Sequence, residues 1–372
     1  MSAKKTLDDK LADANEIIRQ RNAELLALRK EVAALRKSDD TAREIREQIY
    51  KIAAYDPDPP EWIVRYRAGA ERGCPITMWS DWHYGERVFK SQVGGVNEFN
   101  RNIAKTRVRR LTETTCDLAF SHMGNAKHKY PGIVVCLGGD MLGGDIHEEL
   151  AKTNDRTTQQ AIEDLIDLIG AGLETVATQF GRVFVPCVVG NHGRSTKKMQ
   201  MKDRVFTSHE WNVYCALARH FKKSRNVQFY IPESADAHFK VYGTRYMLTH
   251  GDSLGTKGGD GIIGAIGPIM RGAIKTHRSE SQVEREFDIL LMGHWHQALW
   301  LPTAIVNNSL KGFDEYAMLQ LRAPFSRPSQ MLWFDHPKHG ITARWEVLLE
   351  GREQTQAAKP EWVSWPQLQE AA

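Results

Sequence analysis

The 372-residue chain is predicted to form a layered α/β domain preceded by a helical segment. Two observations lead to this prediction. From about residue 74 onward, short apolar runs alternate with polar stretches of helical periodicity, which is typical of α/β layer architectures. Before that point, residues 5–50 contain neither Gly nor Pro and are dominated by charged residues, Leu and Ala. The predicted strands cover residues 75–79, 132–137, 182–189, 227–231, 239–249, 288–292, 303–306, 331–334 and 341–348, and the predicted helices cover 98–123, 154–179 and 208–222.

The composition excludes some classes of protein without identifying the chemistry. Apolar residues make up 41% of the chain, which excludes a wholly disordered protein. With 50 basic and 46 acidic residues, the net charge of +4 is too small to identify a nucleic-acid binder. No apolar run approaches the ~18 residues of a membrane span, and the N-terminus lacks the apolar core of a secretory signal. Five scattered cysteines fit a reducing compartment, so we expect a cytoplasmic protein that does not enter a membrane.

A heptad pattern runs through residues 5–37 and predicts a coiled coil. Leu11, Ile18, Leu25 and Val32 occupy the a positions, and Leu7, Ala14, Arg21, Leu28 and Leu35 occupy the d positions. Branched residues at a with Leu at d favour a parallel two-stranded coil, so we expect a homodimer. A single amphipathic helix packed on its own globule is the alternative.

The expected domain boundaries follow from these changes in composition. Residues 1–55 form the helix or coiled coil, and residues 56–73 form a linker. The prolines of the linker remove backbone donors and disfavour helix in the residues before them. Residues 74–350 are predicted to form a catalytic domain, and residues 351–372 a polar tail.

Each of five apolar runs is followed directly by residues that can bind metals or transfer protons. The clusters are Asp81-Trp-His83, Gly139-Asp140, Gly190-Asn191-His192, His250-Gly-Asp252 and Gly293-His294-Trp-His296. Ligands of open α/β sheets bind beyond the carboxyl ends of the strands, which is where these clusters are predicted to lie. Any one cluster arises by chance in a chain of this length, but all five in this order indicate a functional site.

This order of clusters, over about residues 74–310, resembles the signature of the calcineurin-like metallophosphoesterase superfamily. Residues 138–147 and 308–317 are similar to phage-encoded members that are labelled exonucleases. The resemblance implies a calcineurin-like four-layer β-sandwich flanked by helices, together with metal-dependent hydrolysis of phosphoesters. For a phage-encoded protein, it also implies a location in the host cytoplasm.

The resemblance further implies two divalent metal ions held by side chains of these clusters. The first ion would be bound by Asp81, His83, Asp140 and His296, and the second by Asp140, Asn191, His250 and His294. The shared carboxylate of Asp140 would offset the repulsion between the two ions. Mn²⁺ is the expected ion, with Fe²⁺, Ni²⁺ and Zn²⁺ as alternatives, since all four accept a mixed set of imidazole, carboxylate and amide donors. The absence of thiolate argues against a structural zinc site. His192 would be the catalytic residue that protonates the leaving oxygen or stabilises the transition state.

The partner of His192 is less certain from the sequence. Many members of the superfamily have an acidic residue after Gly-Asn-His, but this chain continues with Gly and Arg. Asp145 or Asp252 is therefore the expected partner that fixes the ring of His192. Asp145 and His147 repeat the Asp-x-His spacing, which is compatible both with a capping role before a helix and with a substrate contact.

Basic residues next to the clusters favour a polyanionic substrate. Arg194, Lys197 and Lys198 follow the third cluster, and Lys257 and Arg271 follow the fourth. Such residues contact the backbone phosphates of nucleic acid, although a solvated charged face has the same sequence pattern. The indoles of Trp82 and Trp295, inside the clusters, either stack on bases or pack in the core.

Three hypotheses follow from these observations. The first is a metal-dependent nuclease of the exonuclease type, with DNA as its substrate. The second is a phosphodiesterase or phosphomonoesterase of the same fold that acts on cyclic nucleotides or other small molecules. The third is a coiled-coil assembly protein with a vestigial esterase domain, which the intact set of ligands disfavours.

Overall fold

The computed structural model describes residues 60–64, 73–122, 130–254 and 266–351, together with Arg21. The chain divides into two units, Met1–Pro57 and Asp58–Ala372, and every element described below belongs to the second. Apart from Arg21, the predicted coiled coil at residues 5–37 lies outside the described residues, and so do Lys257 and residues 352–372 of the tail.

The second unit contains two mixed sheets. The strands are β1 (Cys74–Trp79), β2 (Ile133–Leu137), β3 (Val183–Pro186), β4 (Val227–Tyr230), β5 (Ala237–Val241), β6 (Thr244–Leu248), β7 (Ile289–Met292), β8 (Leu299–Trp300), β9 (Ala304–Val306), β10 (Ser329–His336) and β11 (Gly340–Leu348). The first sheet has the order β11-β10-β1-β2-β3-β4, and the second has the order β5-β6-β7-β9-β8. Strands β1 to β4 are parallel, as are β6, β7 and β9, so their carboxyl ends lie at one edge of each sheet.

Seven α-helices connect these strands in the part of the chain that the structure describes. They are α1 (Glu61–Val64), α2 (Arg101–Asp117), α3 (Glu148–Thr153), α4 (Thr158–Phe180), α5 (His209–His220), α6 (Ile266–Ser281) and α7 (Glu315–Leu319). Asn100 caps α2 by accepting from the amides of Asn102 and Ile103, and Thr157 forms a capping box with Gln160 at α4. None of the described helices combines the length and the apolar character that crossing a membrane requires.

The period-two alternation of the central strands contributes to three apolar cores among the described residues, one between the two sheets and one on the outer face of each sheet. In β1, Ile76 and Met78 pack against side chains of the second sheet, while Trp79 packs against the helices on the other face. Helices α2 and α4 cover the outer face of the first sheet, and α6 covers the outer face of the second. The described part of the second unit is therefore a stack of four layers, helix, sheet, sheet and helix, which confirms the predicted layered α/β class.

Three segments differ from the sequence-based prediction. Residues 239–249 form a hairpin instead of one strand, because the chain reverses at Tyr242, whose φ of 50° ends the extended run. The Gly-rich segment after residue 254 was predicted to be a loop, but Ile266–Ser281 is a helix with a buried apolar face. The predicted linker contains α1, whose residue Ile63 is fully buried and accepts a hydrogen bond from the amide of Tyr242.

Arg107 on α2 ties the loop after β9 to the helical layer. Its guanidinium donates to the carbonyls of Leu310 and Lys311 at 2.8 and 2.6 Å, and to Oδ1 of Asn97 at 2.8 Å. It also forms an ion pair with Glu350, and its side chain is 1% exposed. A buried cation therefore ties the segment that follows β9 to α2.

We expect Arg107→Met to destabilise the protein by about 3–5 kcal/mol, because it removes one partner of a buried ion pair and leaves three acceptors without their donor. Urea denaturation monitored by circular dichroism measures this difference. Arg109→Met, on the exposed face of the same helix, is the matched control and should change the stability by less than about 0.5 kcal/mol. Equal effects of the two substitutions would contradict the prediction.

Candidate metal centre

All seven predicted metal ligands lie at the carboxyl ends of parallel strands. Asp81 and His83 follow β1, Asp140 follows β2, Asn191 follows β3, His250 follows β6, and His294 and His296 follow β7. The first four residues come from the first sheet and the last three from the second. The candidate centre therefore lies where the ends of both sheets meet.

The side chains of these residues converge on a small volume. The structure contains three groups whose ligand atoms lie within 4.8 Å of one another, namely Asp81, His83 and His296, then His83, Asp140 and His192, then Asp140, His250 and His294. Asn191 joins the third group, since its Oδ1 lies 3.1 Å from Nε2 of His250. Imidazole nitrogens, carboxylates and one amide oxygen form a donor set that fits borderline divalent cations.

Several donor atoms of these groups approach each other as they would around a shared cation. Nε2 of His83 lies 3.0 Å from Nε2 of His296, which in turn is 3.4 Å from Oδ1 of Asp81. On the other side, Nε2 of His250 is 3.0 Å from Oδ2 of Asp140. The first and third groups share members with the two ligand sets that the resemblance implies, whereas the second group includes His192. The metal roles of all these residues remain predictions.

The carboxylates dominate the electrostatics of the centre. Burial alone would lower the pKa of the His250 imidazole, but Asp140 and Asp81 outweigh it and raise that pKa to about 10. Burial would also raise the pKa of Asp140, yet the surrounding histidines, His250 first, hold it well below its ordinary range. The field that stabilises a proton on His250 equally attracts a metal cation.

Two other histidines are neutral at physiological pH. Burial and the ammonium of Lys311 lower the pKa of His83 to about 4. Burial and repulsion from His250 lower the pKa of His294 to about 4. A neutral imidazole is the form that binds a metal, so these two ligands need not lose a proton first.

The backbone of the centre adopts conformations that side chains rarely allow. Five predicted ligands have positive φ, namely Asp81 at 54°, His83 at 47°, Asp140 at 49°, His294 at 66° and His296 at 51°. Each such residue costs about 1–3 kcal/mol, and such strain clusters at functional sites because the surroundings must enforce it. No pattern in the sequence indicates that these five residues have positive φ.

Two glycines of the motifs are required by space. A Cβ on Gly190 would collide with Oδ1 of Asp140, and a Cβ on Gly293 would collide with Oδ2 of Asp81. The glycines that precede Asn191 and His294 therefore let the loops of neighbouring strands approach the two carboxylates closely.

Hydrogen bonds fix the orientation of the Asp81 carboxylate. Its Oδ1 accepts from the amide of His294 at 2.9 Å, and its Oδ2 accepts from Oγ of Ser80 at 2.5 Å. Asn307 donates to Oγ of Ser80 at 2.8 Å and accepts from the amide of Met331 at 2.9 Å. Asn307 thus supports a predicted ligand through Ser80.

Two buried glutamates at the centre were not predicted from the sequence. Oε1 of Glu86 lies 2.8 Å from Nδ1 of His83, which is three residues earlier in the same loop. Glu210 at the start of α5 accepts from the amides of Met141 and Gly190 at 2.6 and 2.7 Å, and so joins the loops after β2 and β3. Proximity in sequence to His83 is a signal for Glu86, whereas no motif marks Glu210.

The expected carboxylate partners of His192 are not in contact with its ring in the structure. Nδ1 of His192 lies 3.0 Å from the carbonyl of Gly143 and 3.5 Å from Oε1 of Glu86. Asp252 instead accepts from Nη2 of Arg204 at 2.8 Å, and Asp145 is exposed. The expectation is corrected because the chain folds Gly143 and Glu86, rather than an acid after Asn191, against the imidazole.

The ring of the exposed residue His147 lies beside the candidate catalytic histidine. The centroids of the His147 and His192 rings are 5.9 Å apart, and the side chain of His147 does not cap α3. His147 occupies the N-cap position of α3 without a side-chain capping hydrogen bond, and a substrate contact by this residue stays a prediction.

The predicted substrate contacts have different surroundings. The guanidinium of Arg194 donates to the carbonyls of Asn191 and Thr196 at 2.5 and 3.0 Å, so it shapes the loop of a predicted ligand. Lys197 and Lys198 are exposed next to it, and Arg271 is exposed on α6.

The two tryptophans of the motifs differ in exposure. The ring of Trp82 is fully buried, and its Nε1 donates to Gln330 at 3.3 Å, so it cannot stack on a base. Trp295 is half-buried and packs against the core of the second sheet.

No protein-family profile and no curated protein matches the chain. Among solved structures, a single mutant of Vps29 from Entamoeba histolytica matches at 11% identity, covering 73% of this chain and 98% of its own, with a TM-score of 0.30. A double mutant of the same protein matches at 14% identity, covering 49% and 87%, with a TM-score of 0.24. A proposed 5′-nucleotidase from Staphylococcus aureus, in complex with alpha-ketoglutarate, matches at 9% identity, covering 75% and 55%, with a TM-score of 0.31. Such low TM-scores assign neither a family nor an activity.

Metal binding should depend on pH through His250. Its imidazole carries a proton below about pH 10, and a metal ion must displace that proton. The affinity for Mn²⁺ or Zn²⁺ is therefore expected to rise with pH, by about tenfold per pH unit for each proton released. Calorimetric titration in buffers of different ionisation enthalpy measures both the affinity and the proton release.

An affinity that stays constant between about pH 6 and 8 would contradict this prediction. Asp140→Ala removes the carboxylate shared by two of the ligand groups and should abolish metal binding. Asp117→Asn, on the exposed face of α2, is the matched control that should bind metal as the wild type does.

Proposed function

We propose that the protein is a phosphodiesterase that uses two divalent metal ions, and that it is a DNA nuclease of the exonuclease type. The convergence of imidazole, carboxylate and amide donors from both sheets on one partly exposed centre carries this proposal. A purely structural site would be closed by its ligands. Here His294 and His296 are only partly buried, which leaves the centre accessible to a substrate.

The donor groups can hold the ions in two adjacent sets. Asp81, His83 and His296 belong to the first set, and His250, Asn191 and His294 to the second, with Asp140 between them. When bound, two ions of this kind activate water as a nucleophile at neutral pH and neutralise charge that develops during displacement at phosphorus. Mn²⁺ is the first candidate, and Fe²⁺, Ni²⁺ and Zn²⁺ fit the same donors.

His192 is placed to exchange a proton with the substrate. A carbonyl oxygen can only accept, so the contact with Gly143 places the proton of the neutral ring on Nδ1. Nε2 is then the ring nitrogen that can exchange a proton with the leaving oxygen of the substrate. The side chain is 19% exposed, which permits contact with a bound phosphoester.

The segment after the third motif supports a nucleic acid as the substrate. Residues 194–207, here named the basic segment, expose Lys197, Lys198 and Lys202. The same segment exposes 75% of Met201 and 47% of Phe206, and the ring of Phe206 packs edge-on against Trp211 at 5.3 Å. Exposed cations beside exposed apolar side chains match the phosphates and bases of a single strand.

A small cleft of about 10 Å³ lies between the basic segment and Asn191. Its lining runs from Asn191, a predicted ligand, to Met199 and Arg204. Arg204 is held by an ion pair with Asp252 at 2.8 Å. The basic segment therefore borders a predicted ligand, and a small phosphoester bound at the centre would leave most of this segment unused.

We expect Mn²⁺-dependent cleavage of DNA, with loss of activity in His192→Ala of about 10²- to 10⁴-fold but unchanged metal content. A panel of single- and double-stranded DNA, RNA, cyclic nucleotides and a phosphomonoester identifies the substrate class. His220→Ala, at the far end of α5, is the matched control and should retain full activity.

Rapid turnover of small esters without cleavage of DNA would sink the nuclease proposal in favour of the small-molecule hypothesis. No hydrolysis of any of these compounds, despite full metal loading, would favour the vestigial domain.

The basic segment should determine the salt dependence of strand binding. We expect the triple variant Lys197→Gln, Lys198→Gln, Lys202→Gln to bind single-stranded DNA more weakly, and its log–log salt slope to fall by about 0.7 for each lost phosphate contact. Fluorescence anisotropy in the His192→Ala background measures binding without cleavage.

The double variant Lys222→Gln, Lys223→Gln is the matched control, since these exposed lysines follow the opposite end of α5. An unchanged slope in the triple variant, or an equal change in the control, would show that the strand does not follow the basic segment.

A further inference from the structure

Glu86 is a buried carboxylate that joins two imidazoles of the centre. Its Oε1 lies 2.8 Å from Nδ1 of His83 and 3.5 Å from Nδ1 of His192. The side chain of Glu86 is only 4% exposed. One oxygen atom therefore faces both a predicted metal ligand and the proposed catalytic histidine.

The other oxygen of Glu86 is held from the opposite side. Nζ of Lys311 lies 2.7 Å from Oε2 of Glu86 and 2.7 Å from Oδ2 of Asp314. Lys311 is 5% exposed in its side chain, and its backbone carbonyl accepts from Arg107 at 2.6 Å. The position of the carboxylate is thus set by an ammonium that is itself fixed at both ends.

Gly143 makes room for this arrangement. A Cβ at that position would collide with Cγ of Glu86, and the carbonyl of the same residue contacts Nδ1 of His192 at 3.0 Å. The rings of His83 and His192 consequently meet edge-on, with their centroids 4.6 Å apart. Both Nδ1 atoms are engaged on the Glu86 side, which leaves both Nε2 atoms for the centre.

We propose that Glu86, held by Lys311, is the positioning residue that sets the ring orientation of His192 for proton transfer. This inference rests on the proposed phosphodiesterase function. It assigns to Glu86 the part that many superfamily members are expected to give to an acid after Gly-Asn-His. The carbonyl of Gly143 accepts from Nδ1 of His192, and the buried carboxylate of Glu86, 3.5 Å from the same nitrogen, restricts the tilt of the ring.

A purely structural role of the same residues makes different predictions. If Glu86 and Lys311 only attached the loop after β9 to the loop after β1, their loss would lower stability and leave the chemistry of the folded enzyme unchanged. If Glu86 positions His192, its loss lowers kcat and leaves KM unchanged, because proton transfer is needed only in the transition state.

The central experiment is a double-mutant cycle between Glu86→Gln and His192→Ala in the full-length, metal-loaded protein. We expect Glu86→Gln alone to lower kcat by about 10- to 100-fold with KM changed by less than about twofold. In the His192→Ala background the same substitution should cost less than about threefold, because there is no ring left to position. Independent, multiplicative losses would overturn the proposal.

A second measurement does not depend on activity. In protein labelled with ¹⁵N-histidine and loaded with diamagnetic Zn²⁺, Glu86→Gln and Lys311→Met should both change the ring nitrogen shifts of His192, with the metal stoichiometry retained. Unchanged His192 signals in both variants would overturn the proposal. Lys311→Met also serves if Glu86→Gln fails to fold, and Glu148→Gln, an exposed carboxylate on α3, is the matched control.

The two proposals can fail separately. If the wild type hydrolyses no phosphoester, the proposed function fails, while the nitrogen shifts still report whether Glu86 sets the ring of His192. If the wild type is active but the cycle is multiplicative, the positioning role fails and the phosphodiesterase stands.

Discussion

The burial of two carboxylates side by side is the constraint on which the rest of the structure depends. Asp81 and Asp140 end neighbouring parallel strands and are 0% and 1% exposed. Buried charges are costly by several kcal/mol unless partners compensate them. The backbone amides of His192 and His294 donate to these carboxylates at 2.7 and 2.9 Å. Because these two residues lie in the loops after β3 and β7, both loops pack against the two carboxylates. The need to compensate the buried charges therefore fixes the positions of loops from both sheets.

The strained backbone of the centre persists because the strand pairing continues past the strands. The amide of Asp81 donates to the carbonyl of Gly139, and the amide of His83 donates to the carbonyl of Asp140, both at 3.0 Å. Two loops with positive φ at their ligands are therefore hydrogen-bonded to each other as if they were strands. Gly139 lies so close to Gly190 that a Cβ could not be accommodated, which joins the third loop to the pair. This rigidity keeps the predicted metal-binding atoms close together, although they would otherwise repel each other and move apart.

The sequence predicted the parts of the site whose signal is local. Each cluster of predicted ligands follows a buried apolar run. The same few residues therefore indicate both where a strand ends and where its predicted ligands lie. The contacts that support the ligands have no such signal, because they join distant parts of the chain. Lys311 and Glu86 are 225 positions apart, and nothing near Lys311 marks it as buried. In the fold, α6 was missed because its glycines obscure the helical period, and the hairpin was missed because its short turn at Tyr242 separates two strands that are adjacent in sequence.

The division of ligands between the sheets has a consequence for the stability of the whole molecule. Asp81, His83, Asp140 and Asn191 extend from one sheet, and His250, His294 and His296 extend from the other. A cation bound by both sets would act as an additional cross-link between two layers that pack through apolar side chains and through buried hydrogen bonds such as that from Tyr246 to Asp335. Ligands that bind only the folded state add stability in proportion to the logarithm of their concentration. The cohesion of the two sheets would then vary with the supply of divalent ions in the surrounding solution, so that metal availability governs the lifetime of the protein as well as its chemistry.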